Sequence, residues 1–212
     1  MRGVFITLEG VEGSGKSTHA HLLTDWLLAR GRRVVPTSEP DGTALGSAIR
    51  ALFEREGPAP TALAQTFLFM AARQQHVAHV IRPALAEGAV VISDRYADAT
   101  LAYQGFGGGM DVETIRDLNA LATGGVIPDL TLLLDLDPAE GIRRISDRTL
   151  DAFEKMDLAF HRRVREGYLE IARAEKSRVV VLDAAQPKNT LHAASVRAVQ
   201  ELLERREAPR GA

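Results

Sequence analysis

The octapeptide Gly10-Val11-Glu12-Gly13-Ser14-Gly15-Lys16-Ser17 has the spacing G-x-x-x-x-G-K-[ST], which suits one kind of chemistry, the holding of nucleotide phosphates. Glycines let the backbone curl until successive N–H groups point inward. A helix starting at the end of the loop adds partial positive charge where a β-phosphate would sit. Lys16 reaches the β- and γ-phosphates. Ser17 offers a hydroxyl to a Mg²⁺ ion that bridges the same two phosphates, and Thr18 adds a second polar contact. A glycine-rich turn that only joins strand to helix is the plain alternative. The match, however, falls between the first apolar run and the first helical segment, where a phosphate loop belongs. A guanine-specific switch would carry Asn-Lys-x-Asp after a later strand; the chain has no such tetrapeptide, and Lys188-Asn189 runs in the reverse order.

Two further groups of charged residues could act on phosphate. Ser93-Asp94-Arg95-Tyr96 follows an apolar run, which puts an acid and a guanidinium at the carboxyl edge of a sheet, where open α/β folds bind ligands. Asp94 can hold water on Mg²⁺. Arg95 can grip an acceptor phosphate with two parallel hydrogen bonds and stabilise charge during transfer. An ion pair that merely caps the strand is the structural alternative. Arg143, Arg144 and Arg148 lie between an apolar strand with a helix start and a long helix beginning near Asp151, the arrangement of a basic lid.

The elements that would position these residues are visible in the pattern. Five apolar runs at residues 4–8, 33–37, 89–93, 130–134 and 179–182 lack strict alternation, as strands buried on both faces do. Residues 17–30, 43–56, 61–87, 111–122, 138–147, 151–175 and 189–206 read as helices, with Gly31, Gly57 and Gly88 near helix ends. The expected class is α/β, a three-layer P-loop NTPase fold with a five-stranded parallel sheet flanked by helices. Residues 105–109, Gly-Phe-Gly-Gly-Gly, read as a loop. A single P-loop domain is expected over residues 1–206, with the lid at about 141–152 and a frayed tail at 207–212.

Composition narrows the partners. Hydrophobic residues make up 45% and charged residues 25% of 212, as in ordinary soluble domains. With 26 Lys and Arg against 28 Asp and Glu, no global basic field favours nucleic acid. There is no cysteine, which excludes disulfides and thiolate metal sites and is compatible with the reducing cytoplasm. No leader and no membrane-spanning run are expected.

Taken together, Glu9-Gly10-Val11-Glu12-Gly13-Ser14-Gly15-Lys16-Ser17, Glu39-Pro40-Asp41-Gly42-Thr43, Asp94-Arg95-Tyr96, Ala102-Tyr103-Gln104-Gly105 and Phe160-His161-x-x-Val164-Arg165-x-Gly167-Tyr168 resemble the bacterial thymidylate kinases. The likeness covers nearly the whole chain. It implies a cytoplasmic, homodimeric, Mg²⁺-dependent enzyme that moves the γ-phosphoryl group of ATP onto dTMP in dTTP synthesis, without a covalent intermediate. Another nucleoside-monophosphate kinase and a non-catalytic P-loop protein stand as alternatives.

By position, Phe69 resembles the ring that stacks on thymine, and Arg73 the donor to the thymine O4; the i, i+4 spacing puts both on one helix face. Core packing is the alternative for Phe69, and a solvated surface charge for Arg73. Thr100 and Gln104 resemble the residues facing the N3 edge of the base, Tyr103 the ring beside the sugar C2′, Arg50 a second phosphate clamp, and Glu12 the carboxylate near the 3′-hydroxyl. Because Glu12 stands where other members carry a P-loop arginine, the catalytic guanidinium is expected from the lid, Arg148 first, then Arg143 and Arg144. Ser38, Asp41, Ala72, Ala99 and Ala152 depart from the usual family pattern. Ala72 is expected to loosen the orientation of Arg73.

Overall fold

Strands covered on both faces need no alternation of polar and apolar residues, and all five apolar runs join one sheet. The computed structural model describes residues 3–53, 60–147 and 153–208. The strands β1 (Val4–Glu9), β2 (Val34–Ser38), β3 (Val90–Asp94), β4 (Leu130–Asp135) and β5 (Val179–Asp183) are all parallel, in the order β2-β3-β1-β4-β5. Every residue of β1 is buried, whereas β2 and β5 are partly exposed edges.

Among the described residues the helices are α1 (Lys16–Leu28), α2 (Ala44–Phe53), α3 (Ala62–His76), α4 (Arg82–Ala86), α5 (Ala97–Thr100), α6 (Val112–Thr123), α7 (Pro138–Arg144), α8 (Leu158–Ala174) and α9 (Lys188–Glu207). Side chains of a strand point alternately to opposite faces. Val4, Ile6 and Leu8 accordingly pack with Leu23 and Leu27 of α1 and Val199 and Leu202 of α9, while Phe5 joins Val77, Ile81 and Leu85 on the other face. The result is three layers, helix on sheet on helix. The register sets Leu8 beside Asp94 and Glu9 beside Leu133, so the phosphate loop and the end of β3 leave the sheet at one place.

The helical pattern departs from expectation at four places. The segment expected as one helix over 61–87 widens to a π-helix at Val77–Ile81 between α3 and α4. Pro83 lies in the first turn of α4, where it has no N–H to give and crowds the preceding turn. Residues 105–109, expected as a loop, are largely a π-helix, Leu101–Gly107, continuing α5. Tertiary packing overrides the low helix propensity of glycine there: α8 lies so close that a Cβ on Gly107 would meet Phe160 at 2.7 Å and one on Gly167 would meet Phe106 at 2.6 Å. α7 ends at Arg144 rather than at 147. α8 begins at Leu158, where the Asp157 side chain accepts a hydrogen bond from the Phe160 amide at 2.6 Å. That cap fixes the start, later than the expected 151.

The glycine contact between α8 and the Leu101–Gly107 segment yields a stability prediction. Gly167→Ala drives a methyl into the Phe106 ring, and overpacking of this kind costs about 1–3 kcal/mol. A lower urea midpoint with an unchanged slope is the expected result; a midpoint equal to the parent's refutes the tight packing.

Candidate active site

The phosphate loop follows directly from Glu9. Gly10, Gly13 and Gly15 have φ of 143°, 69° and 91°, values that L side chains rarely adopt. Gly13 also faces Gly141 of α7 so closely that a Cβ on either would strike the other segment's backbone. α1 begins at Lys16, whose Nζ folds back to donate to the carbonyls of Gly10 at 3.1 Å and Val11 at 2.9 Å. Burial, aided by Arg95, draws the Lys16 ammonium down to about 8 against the pull of Asp94, Glu12 and Glu9. The Ser14 hydroxyl is buried with no hydrogen-bond partner in the protein. Ser17 Oγ donates to Asp94 Oδ2 at 2.5 Å. That hydroxyl and carboxylate form the hard oxygen pair that Mg²⁺ accepts, an ion usually held by one or two protein groups together with substrate phosphates. Among the described residues no three His, Asp or Glu side chains form a metal cage.

Arg95 is the one described non-glycine residue with a positive φ, 71°. Its amide donates to Leu8 O at 3.0 Å, its carbonyl accepts from Ser93 Oγ at 2.7 Å, and the next amide, of Tyr96, donates to Glu9 Oε1 at 2.7 Å. Its guanidinium donates to Glu12 Oε1 at 3.0 Å, Tyr103 Oη at 3.2 Å and Tyr168 Oη at 3.4 Å. Glu12 is buried, accepts from the Tyr103 hydroxyl, and lies 3.4 Å from His161 Nδ1. Burial would raise the Glu12 carboxyl, but His161, Arg95, Lys16 and Tyr103 together hold it well below the usual carboxylate range. The strand-cap alternative for Arg95 therefore gives way to a charge cluster that includes the P-loop.

One cleft of about 880 Å³ joins these groups to the rest. Of the residues singled out from the sequence, Glu12, Gly13, Gly15, Lys16, Ser17 and Thr18 line it on the loop side. Arg50, Phe69, Arg73, Asp94, Arg95, Thr100, Tyr103, Gln104 and Arg144 also line it. Gly10, Val11, Ser14 and Arg143 do not. Arg148 and Ala152 lie outside the described residues.

Arg73 is not a solvated charge: it is 2% exposed. Its Nε donates to Glu39 Oε2 at 2.9 Å, and Nη1 to Thr100 at 3.0 Å and Asn119 at 2.7 Å. Nη2 donates to Tyr96 O at 2.9 Å and lies 2.7 Å from Glu39 Oε2. Ala72 does not loosen it, because Glu39 and Asn119 hold the guanidinium and Ala72 packs with Ile49 and Phe53. Glu39 in turn meets His76 Nδ1 at 3.2 Å. Phe69 stacks on Phe53, ring centroids 5.1 Å apart, with Phe153 at 5.9 Å. It is thus an aromatic wall of the cleft rather than a deep core residue. Gln104 is buried and donates to Gln65 at 3.3 Å. Arg50 lies 3.5 Å from Asp41, so that departure from the family pattern sets a carboxylate beside it.

Of the two arginines that end α7, Arg144 donates to Glu140 at 3.0 Å and reaches the carbonyls of Ala184 at 3.2 Å and Gly13 at 3.4 Å, while Arg143 is exposed and pairs with Glu140 alone among the described residues. Several site residues escaped sequence reasoning. His161 and Tyr168 share a helix face at a seven-residue spacing, a signal present in the quoted motif. Glu9 adjoins the P-loop; Asn119 carries no local signal at all.

The sequence matches the family model described as Thymidylate kinase over residues 8–194. It is 47% identical over 213 residues to the thymidylate kinase of Desulfovibrio desulfuricans, covering 96% of this chain and 98% of that one. It is also 47% identical to that of Deinococcus radiodurans, over 94% of this chain and 98% of the other. Its fold superposes on the crystal structure of thymidylate kinase from Ehrlichia chaffeensis with a TM-score of 0.77 at 33% identity, over 94% of this chain and all of that one.

The depressed Glu12 carboxyl has a sign that stability measurements can read. Ionised Glu12 adds stability above its unfolded value of 4.5, and the gain fades as pH falls below that toward the lower folded value. Glu12→Gln should cost roughly 2–4 kcal/mol at pH 7, because Arg95 loses its carboxylate, or on the order of 5–10 °C in Tm. The gap should narrow at about pH 3; a gap that stays constant with pH refutes the charge pairing.

Proposed function

The chain belongs to the thymidylate kinase family, and from that premise we propose that it transfers the γ-phosphoryl group of ATP to the 5′-phosphate of dTMP, releasing ADP and dTDP. The observation that carries this reading is a single cleft in which the P-loop lysine, the Glu12–Arg95 cluster and the Phe69–Arg73 wall all meet. The acceptor is a phosphate oxygen that is already ionised, so the reaction needs no protein base. Catalysis is then positioning and charge stabilisation.

In the proposed arrangement, the loop amides and Lys16 hold the donor phosphates, while Arg95 and Arg50 grip the acceptor phosphate. Phe69 offers a stacking face to the base, with Thr100, Gln104 and Arg73 along its polar edge; Arg73 must exchange one of its present partners to donate to it. Tyr103 and Glu12 bound the sugar. Ser17 and Asp94 would hold Mg²⁺, which when bound neutralises charge on the β- and γ-phosphates. The segment 141–152 acts as a lid that delivers a guanidinium, from Arg144 or from Arg148. A homodimer and a cytoplasmic location belong to the same proposal and follow from the family likeness.

The direct test is a coupled ADP-release assay over a panel of nucleoside monophosphates. Turnover with dTMP well above that with dUMP, dCMP or purine monophosphates supports the reading, and ATP binding without acceptor-dependent ADP release overturns it. Lys16→Ala should lower kcat by roughly 10²–10³-fold, as loss of a fixed donor to developing charge does. Arg144→Ala should lower kcat by about tenfold or more with KM for dTMP little changed, as for a contact made mainly in the transition state. Arg143→Ala should stay within about twofold, which is under 0.5 kcal/mol. Equal effects of the two lid substitutions would remove Arg144 from the transfer.

A further inference from the structure

Glu9 is fully buried at the end of β1 and does not line the cleft. Both of its oxygens are in use: Oε1 accepts from the Tyr96 amide at 2.7 Å and Oε2 from the Tyr168 hydroxyl at 2.9 Å. Each donor leads to Arg95. The Tyr96 amide belongs to the peptide that follows the left-handed Arg95 backbone, and the Tyr168 hydroxyl accepts from Arg95 Nη1 at 3.4 Å. We propose that Glu9 is a positioning residue for the transfer, holding the Arg95 backbone through one oxygen and aiming its guanidinium through Tyr168 with the other. The consequence for catalysis rests on the reading that Arg95 grips the acceptor phosphate.

Two physical arguments favour this role over simple fold maintenance. A residue with a Cβ adopts φ near 71° only where its surroundings over-determine it. Here three hydrogen bonds fix three successive backbone groups, the Arg95 amide, the Arg95 carbonyl and the Tyr96 amide. Glu9 supplies the last and is the one of the three that also reaches the guanidinium.

The second argument concerns charge. Burial, with Asp98 facing it, pushes the Glu9 carboxyl up to about 8, against the pull of Arg95, Tyr168 and the Tyr96 amide. Lys16 also faces it, while Asp98 is itself held by Arg178 at 2.8 Å through both oxygens. A carboxyl with a raised folded value stabilises the fold below its unfolded value of 4.5 and loses that contribution as pH rises through about 8. Above that pH the ionised group is a liability to the fold, which a neutral isostere would remove. A residue kept only for stability predicts the reverse.

Above the raised Glu9 value, where the parent group is a carboxylate that accepts at both oxygens, Glu9→Gln separates the two roles: its carbonyl can still accept from the Tyr96 amide while its NH₂ cannot accept from the Tyr168 hydroxyl. At pH 8.5 the melting temperature of Glu9→Gln should equal or exceed the parent's. In ¹⁵N-resolved NMR at the same pH the Arg95 guanidinium signals should be separate in the parent, through hindered rotation, and should average in the variant. In the kinase assay at pH 8.5 KM for dTMP should rise about tenfold or more, with KM for ATP within about twofold. Tyr168→Phe, which cuts only the side-chain route, should shift KM for dTMP in the same direction by less. The double variant should be no worse than Glu9→Gln alone.

An unchanged Arg95 signal in both single variants overturns the proposal whatever the activity. So does a lowered melting temperature with equal losses on both substrates. If the parent fails to phosphorylate dTMP while the Arg95 signal still responds to Glu9→Gln, the positioning stands and the substrate reading is what fails.

Discussion

Three ionisable side chains within a few residues of the carboxyl edge, Glu9, Glu12 and Arg95, set the terms for everything around them. Both carboxylates are buried, and burial raises both, yet they move in opposite directions. The partners make the difference. The donors to Glu9 are a neutral amide and a neutral phenol, and Asp98, of the same sign, opposes the pull of Arg95. Glu12 touches Arg95 at 3.0 Å and has His161 and Lys16 close by. Arg95 therefore commits its charge to the P-loop side while its backbone answers to the sheet side. A guanidinium held at both ends in this way is oriented before any ligand arrives, the condition under which a fixed donor lowers a barrier most.

Arg73 shows the contrasting way to bury a guanidinium. Glu39, Thr100, Asn119 and the Tyr96 carbonyl engage its Nε and both Nη atoms, and Glu39 is steadied in turn by His76. Arg95 is met chiefly by one carboxylate and two phenol oxygens, and its side chain is 23% exposed. The difference matters for what each can do. A saturated guanidinium must give up a contact to take a ligand, which favours a selective role. One facing a cleft through neutral phenols can add a charged acceptor, and a charge-assisted hydrogen bond is roughly twice as strong as a neutral one.

Much of this arrangement could be read from the chain because it is local. The P-loop spacing, the five apolar runs and the Asp94-Arg95 pair are contiguous patterns whose physics acts over a few residues. What escaped depends on distant partners. Nothing near Arg73 announces Asn119, 46 residues away, so the choice between solvated and buried arginine could not be made from helical spacing. The Leu101–Gly107 helix forms against its glycine content because Phe160 and Val164 press on Gly107. The start of α8 followed its cap, Asp157, rather than the earlier Asp151. Ala72 misled for a related reason: its neighbour's orientation is fixed by Glu39, 34 residues away, and not by the side chain beside it.

The phosphate loop carries a carboxylate, Glu12, and α7 brings two guanidiniums to its other side. Gly13 and Gly141 let the two segments approach to backbone contact, so the start of α7 is fixed relative to the phosphate loop. Arg143 and Arg144, three and four residues after Glu140, share that single carboxylate. One anion cannot neutralise two guanidiniums, so about one positive charge remains beside the loop. Arg144 also rests on the neutral carbonyls of Gly13 and Ala184. Exchanging neutral carbonyls for ionised phosphate oxygens is favourable, and the exchange requires only side-chain rotation about an anchored helix.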